Sequence, residues 1–110
     1  MVTEIKGNGR LKLTNIGGMK PANAEAENVR IITKGGAVYE GVCQLVNASV
    51  HVNGEYDRTE RSWDTVEVLV DECVKTKEDT IKLGIMPGDY VCFEPRTRVT
   101  ASGYIKSRFL

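Results

Sequence analysis

The chain has 110 residues, 41% of them apolar, and 15 Lys and Arg stand against 15 Asp and Glu. That length suits one domain, and the balanced charge gives no general attraction to nucleic acid or an anionic membrane, so neither is expected as a partner. No apolar run approaches the ~18–20 residues of a membrane-spanning helix, and residues 1–6 carry no signal-peptide core; cytoplasmic residence is the default expectation.

Val, Ile and Thr together make up 29 of the residues, and side chains branched at Cβ suit a pleated surface better than a helix. Val2 and Ile5 open a first strand. The chain turns at Gly7-Asn8-Gly9, and Leu11 and Leu13 then alternate with polar neighbours, which predicts a hairpin. Gly17, Gly18 and Pro21 mark a break. Residues 22–28 are small, polar and acidic and read as a loop. Residues 29–34, the Gly35-Gly36 turn and residues 37–43 form a second hairpin. Residues 47–63 are polar and interrupted by Asn53-Gly54, an exposed excursion. Residues 65–71 alternate again, with Val66, Val68 and Val70 on one face. Thr76 is an N-cap followed by acidic residues, so a single short helix is expected over 77–83, stopped by Gly84. Pro87-Gly88-Asp89 is a turn. Residues 90–94 form a strand closed by Pro95, and 99–101 and 104–110 complete the strand set. The fold expected is mainly β: one small barrel, closed or partly open, of six to seven short strands over residues 1–110. The chain starts within a strand and stops on Phe109-Leu110, which leads us to expect a piece of a longer protein.

Reactive side chains are few. His51 is the one histidine, and Cys43, Cys73 and Cys92 have no CxxC spacing. These numbers argue against a disulfide framework or a cysteine-rich zinc site. Cys43 and Cys92 lie in strand-like apolar runs and read as buried thiols. His51, between Val50 and Val52, could serve as a base or metal ligand; without a second histidine, a packed or pocket position is favoured. Asp57, Glu60 and Asp64 could supply a carboxylate pair, but their mixing with Arg58 and Arg61 favours charge pairing within a solvated loop. Tyr39, Tyr56, Tyr90 and Trp63 could stack bases beside the basic stripe Arg96, Arg98, Lys106 and Arg108. The neutral net charge favours core or interface roles instead. Read this way, the residues support a small barrel without a self-contained active site; the alternative is a stand-alone module binding peptide or single-stranded nucleic acid.

Several segments nevertheless match a known pattern in order. Ile16-Gly17-Gly18 followed by Pro21 resembles an Ile-Gly-Gly-x-x-Pro element. Val29-Arg30-Ile31, a glycine turn and Gly41-Val42 are similar to that pattern's hairpin, with one order swap. Val68-Leu69-Val70-Asp71 resembles its hydrophobic-aspartate strand. Gly84-Ile85-Met86-Pro87-Gly88-Asp89-Tyr90-Val91 matches its Gly-Ile-x-x-Gly-Asp-x-Val motif, and 105–110 resembles the approach to its Leu-Asp-[Asp/Asn]-Arg metal motif. The set resembles metallopeptidase family forty-two, the glutamyl, deblocking and tetrahedral-shell aminopeptidases. His51 stands where that family has Pro-Pro-His, but Ser49-Val50 replaces the two prolines.

The resemblance implies a β-barrel lid and dimerisation domain inserted in an α/β catalytic domain. That catalytic domain would bind two divalent metal ions, zinc or cobalt, and remove N-terminal residues from short peptides. The implied partners are the catalytic domain of the same chain and further copies, as a dimer or a twelve-subunit shell. No catalytic residue, metal ligand or cofactor is implied within these 110 residues. Gly17, Gly18, Pro21, Gly84, Gly88 and Asp89 are the motif positions carried over.

Overall fold

Short runs of alternating apolar residues roll this chain into one curled sheet. The structure is a computed structural model that describes residues 1–49 and 54–108. In chain order the elements are β1 (Val2–Ile5), β2 (Leu11–Leu13), α1 (Pro21–Ala24), β3 (Asn28–Ile32), β4 (Val38–Leu45), β5 (Val66–Val70), α2 (Lys77–Lys82), β6 (Tyr90–Phe93), β7 (Arg98–Val99) and β8 (Ile105–Lys106). Six strands form an antiparallel sheet in the order β1-β2-β5-β4-β3-β6. Its two edges come back together at one point: the Val2 N–H donates to Asp89 O at 2.9 Å, and the Gly88 N–H donates to Val2 O at 2.8 Å. The result is a partly open barrel, as expected from the sequence.

The inward face of the curl carries the core. Leu11, Ile31, Cys43, Val66, Val68 and Ile85 are all buried and packed in one cluster, with Trp63, Val91 and Phe93 half-buried against it. Each fully buried aliphatic side chain contributes roughly 1.5–3 kcal/mol relative to exposure. The β3–β4 hairpin pairs Val29 with Gly41 and Ile32 with Val38, the pairing that the turn at Gly35-Gly36 predicts.

Helix α2 closes one end of the barrel. Its capping box is complete: the Asp79 N–H donates to Thr76 Oγ1 at 3.3 Å, and the Thr76 N–H donates to Asp79 Oδ2 at 3.2 Å. The helix sits on the β1–β2 turn, where Thr80 Oγ1 donates to Gly9 O at 2.7 Å and the Lys77 N–H to Gly7 O at 3.0 Å. Gly84, at φ 91°, stops it.

Three expectations are corrected. Residues 22–28 are not all loop, because Pro21–Ala24 makes one helical turn, so the described residues hold two short helices rather than one. Pro21 at the first helical position presets φ and loses no hydrogen bond there, and Ala24 is fully buried. The last strands do not complete the barrel, because β7 and β8 pair only with each other. Pro95 cannot extend the β6 ladder, and Arg96, at φ 49°, turns the chain out of the sheet. Cys92 is exposed, unlike buried Cys43. Along the edge strand β6, Val91 and Phe93 are half-buried while Tyr90 and Cys92 are exposed.

The contact between α2 and the first hairpin can be tested at two glycines with the same backbone need. Gly9 (φ 85°) and Gly36 (φ 93°) both sit in the left-handed region. A Cβ at Gly9 would lie 2.8 Å from Thr80 Oγ1 and 2.9 Å from Thr76 O, whereas one at Gly36 would meet open space. Urea unfolding is expected to show Gly36→Ala costing about 1–2 kcal/mol. Gly9→Ala should cost more, because a backbone carbonyl must also move. Equal costs would mean that α2 does not press on this turn.

Candidate functional site

The motif 84–91 builds a clasp. Met86 to Asp89 forms a turn in which the Asp89 N–H donates to Met86 O at 3.1 Å. Pro87 occupies the second position and Gly88, at φ 96°, the third, the arrangement of a type II turn. The Asp89 side chain is 1% exposed. Its carboxylate accepts from the Met86 N–H at 2.8 Å and from the Lys34 N–H at 3.2 Å, which ties the turn to the β3–β4 hairpin. A Cβ on Gly88 would come within 3.3 Å of Lys34 Nζ. Pro21 opens α1. Gly17 and Gly18 lie in open space, so packing does not explain them. His51 lies outside the described residues.

Three carboxylates gather cations from distant parts of the chain. Glu67, 2% exposed in the middle of β5, accepts from Lys6 Nζ at 2.8 Å and from the Arg10 guanidinium at 2.7 Å. Glu25 accepts from Arg61 Nε at 2.6 Å and from the Tyr56 hydroxyl at 2.7 Å. The Arg61 guanidinium lies 4.7 Å from the Tyr56 ring centre. The bond from Arg61 holds the Glu25 carboxyl below the usual carboxylate range. Glu27 accepts from the Arg96 guanidinium at 3.0 Å and from Arg108 Nε at 3.2 Å.

These pairs decide the side-chain candidates read from the sequence. Asp64 pairs with Lys12 at 2.8 Å and Arg61 reaches Glu25, so these two charges are met by other segments rather than within the loop. Within the loop, Arg58 lies 3.8 Å from Glu55, both well exposed. Tyr39 donates to Leu83 O, and Tyr56 is held by Glu25. Trp63 lines a small apolar pocket of about 110 Å³ with Met19, Val91 and Phe93. That leaves Tyr90 as the exposed one of the four aromatics. Arg96 and Arg108 of the basic stripe are already engaged by Glu27.

Sequence reasoning missed the roles of Glu25, Glu27 and Glu67. The alternation puts Glu67, with Leu69 and Asp71, on the face opposite Val66, Val68 and Val70, yet it is as buried as those valines. The signal was present in the two cations, Lys6 and Arg10, that flank the first turn. Among the described residues, no three His, Cys, Asp or Glu side chains converge as a metal site. The two divalent ions that the resemblance implies belong to the catalytic domain, not to these residues. No helix of the described residues is long and apolar enough to cross a membrane.

Comparison with known proteins decides the family. The M42 glutamyl aminopeptidase family matches over residues 1–110. The chain belongs to that family. YhfE of Bacillus subtilis (strain 168), whose name assigns it provisionally to the aminopeptidases, is 44% identical over all of this chain, which covers 32% of its length. The TET1 peptidase of Pyrococcus horikoshii, described as assembling into a tetrahedron or a large octahedral shell, has 25% identity and a TM-score of 0.77. The match covers 97% of this chain and 31% of that one. The aminopeptidase APDkam598 of the archaeon Desulfurococcus kamchatkensis shares the fold at a TM-score of 0.74, with 24% identity over 91% of this chain and 26% of its own. This M42 segment thus spans about a third of the length of its curated relative.

The buried thiol gives a pH prediction. Burial, with the nearby Glu25 and Glu67 charges adding to it, pushes the Cys43 thiol up to about 12 from its ordinary 9.0. Between those values the unfolded chain has lost the proton and the folded chain has kept it. Stability is therefore full below about pH 9 and falls as pH rises, by ~1.4 kcal/mol per unit, until the folded thiol itself ionises. Denaturant titrations from pH 8 to pH 11 check this. Cys43→Ala should flatten that component of the slope.

Proposed function

We propose that this chain is the non-catalytic lid and oligomerisation barrel of a two-metal aminopeptidase that removes N-terminal residues from short peptides. The observation that carries the reading is the family match along the whole chain, combined with coverage of only a third of the curated relative. In this reading the remaining length holds the catalytic domain. Zinc or cobalt held there would supply the Lewis acid for activating water and polarising the scissile carbonyl.

The barrel's task is steric. Its core is filled by side chains, so it offers a wall rather than a channel. Placed over a catalytic cleft, such a wall admits short unfolded peptides and turns away folded proteins by size. It also offers surfaces for contact between subunits. The shell assembly described for the Pyrococcus horikoshii relative supports an oligomer of the dimer or twelve-subunit kind here. The cytoplasm, where short peptides are recycled, is the compartment proposed.

The test is an assay of the full-length protein with zinc or cobalt supplied, against aminoacyl substrates and peptides of increasing length. Release of N-terminal residues from short peptides, loss of that activity with a chelator, and no cleavage of folded proteins are expected. Deleting the barrel should broaden the accepted length and reduce the oligomeric mass. Inactivity of the metal-loaded protein across all aminoacyl substrates would overturn the reading.

A further inference from the structure

Beyond β6 the chain leaves the main sheet and does not rejoin it among the described residues. Residues 96–108 form an arm: the β7–β8 ribbon on a short stem. The stem is closed by its own bonds. Thr97 Oγ1 lies 2.9 Å from Ser107 Oγ, and the Arg108 N–H donates to Pro95 O at 2.7 Å. Packing within this chain does little for the arm, since between Arg96 and Arg108 only Thr100 and Ser107 are half-buried. A two-stranded ribbon is marginal without such packing, so the direction of the arm depends on the polar contacts at its foot.

Those contacts meet at one oxygen. Glu27 Oε1 accepts from the Arg96 guanidinium at 3.0 Å and from Arg108 Nε at 3.2 Å, one cation from each end of the arm. Arg108 also donates to Asn23 O, in α1, at 3.2 Å. Glu27 itself is 7% exposed, and its backbone is fixed independently of the arm. The Ala26 N–H donates to Cys43 O at 2.7 Å, and the Cys43 N–H donates to Glu27 O at 2.9 Å. Two residues there oppose one, the pairing of a β-bulge, which re-aims a side chain. Ala26 takes a left-handed φ of 66°, and Arg96 one of 49°. Such backbones are costly for residues with a Cβ and persist where their surroundings fix them. The chain is thus bent on both sides of the contact that joins Glu27 to the arm.

We infer that Glu27 is a positioning residue. By pinning both ends of the arm to the barrel, it sets the angle at which the chain leaves the barrel, and so the attitude of the barrel toward the catalytic domain. The inference rests on the proposed lid role and names the residue that aims the lid. In that reading the arm is one connection to the rest of the parent, since this chain covers only 32% of its curated relative. A wall that sorts peptides by size works only if the gap beneath it is constant. With the carboxylate gone, two guanidiniums face each other with no anion between them, and the foot of the arm opens. Glu27 touches no substrate in this scheme, so its loss changes which peptides pass rather than the chemistry done on them.

The test uses the full-length protein, cleared of exposed cysteines including Cys73 and Cys92. Spin labels are placed through Ala101→Cys on the arm and Glu78→Cys on α2, both exposed positions. Diluting with unlabelled protein restricts the measured distances to one chain. Glu27→Gln keeps the acceptor oxygen and removes its charge. It is expected to widen the barrel-to-arm distance distribution about twofold and to lower the kcat/KM preference for a tripeptide over a decapeptide by about threefold or more. Turnover of a single-residue aminoacyl substrate should change by less than about twofold. Arg108→Gln leaves Glu27 paired with Arg96 and should give a smaller change in the same direction, and it decides the matter if Glu27→Gln does not fold. Arg108→Lys keeps the charge and should stay near the parent. A circular dichroism melt shows which variants are folded. A carboxylate that only stabilised the barrel would lower all activities together, in proportion to the folded fraction. Unchanged distances in the folded Gln variants, or widened distances with an unchanged length preference, would overturn the inference. An active parent with unchanged distances refutes the joint alone, whereas an inactive parent with widened distances refutes the peptidase reading and leaves the joint standing.

Discussion

The barrel depends on one buried carboxylate. Asp89 uses its side chain to hold the Met86 and Lys34 backbone N–H groups, and its own carbonyl accepts from Val2. One residue therefore shapes a turn, anchors the central hairpin and joins the two edges of the sheet. Hydrogen bonds to a charged acceptor are worth about 1.5–3 kcal/mol each, and here they hold in place the turn whose backbone meets Val2. An open sheet edge would otherwise present unpaired backbone groups at the start of β1. The glycine before it and the proline before that are the residues a type II turn requires. In this segment the Gly-Asp motif of the M42 family builds the turn that ties the hairpin to the sheet edges.

Much of this was legible in the sequence because it is local. The first hairpin, the Gly35-Gly36 hairpin, the Val66–Val70 strand and the capped helix α2 all follow from spacings of a few residues. The family could also be read, since its motifs are contiguous. What could not be read depends on distance along the chain. Glu67 looks like an outward polar residue until Lys6 and Arg10 are brought over it. Cys92 looks buried until β6 proves to be an edge strand. The Pro21–Ala24 helix is a single turn whose stability comes from burying Ala24, not from propensity. The terminal ribbon has the composition of barrel strands, and only the backbone at Pro95 and Arg96 removes it from the sheet.

A second theme is how a small domain with equal numbers of acids and bases distributes them. Glu25, Glu27 and Glu67 each fasten a loop or hairpin to the barrel by drawing in a cation from another segment, and each is at least half-buried. Such anchored pairs are worth more than freely exposed ones, because the carboxylate is already fixed by packing.

The clasp at Asp89 also sets an order of assembly. β1 is synthesised before every other strand, yet the partner of Val2 lies more than eighty residues further along. The first hairpin can form early from its own turn, but its outer edge has no complement until β6 emerges. Contacts of such long sequence separation slow folding. The shortness of β1, with four residues and two of them exposed, limits what a neighbouring nascent chain could pair with during that wait. A domain whose last seam joins the earliest and latest strands of its main sheet is in effect proofread by its own completion: a chain truncated before residue 89 cannot close.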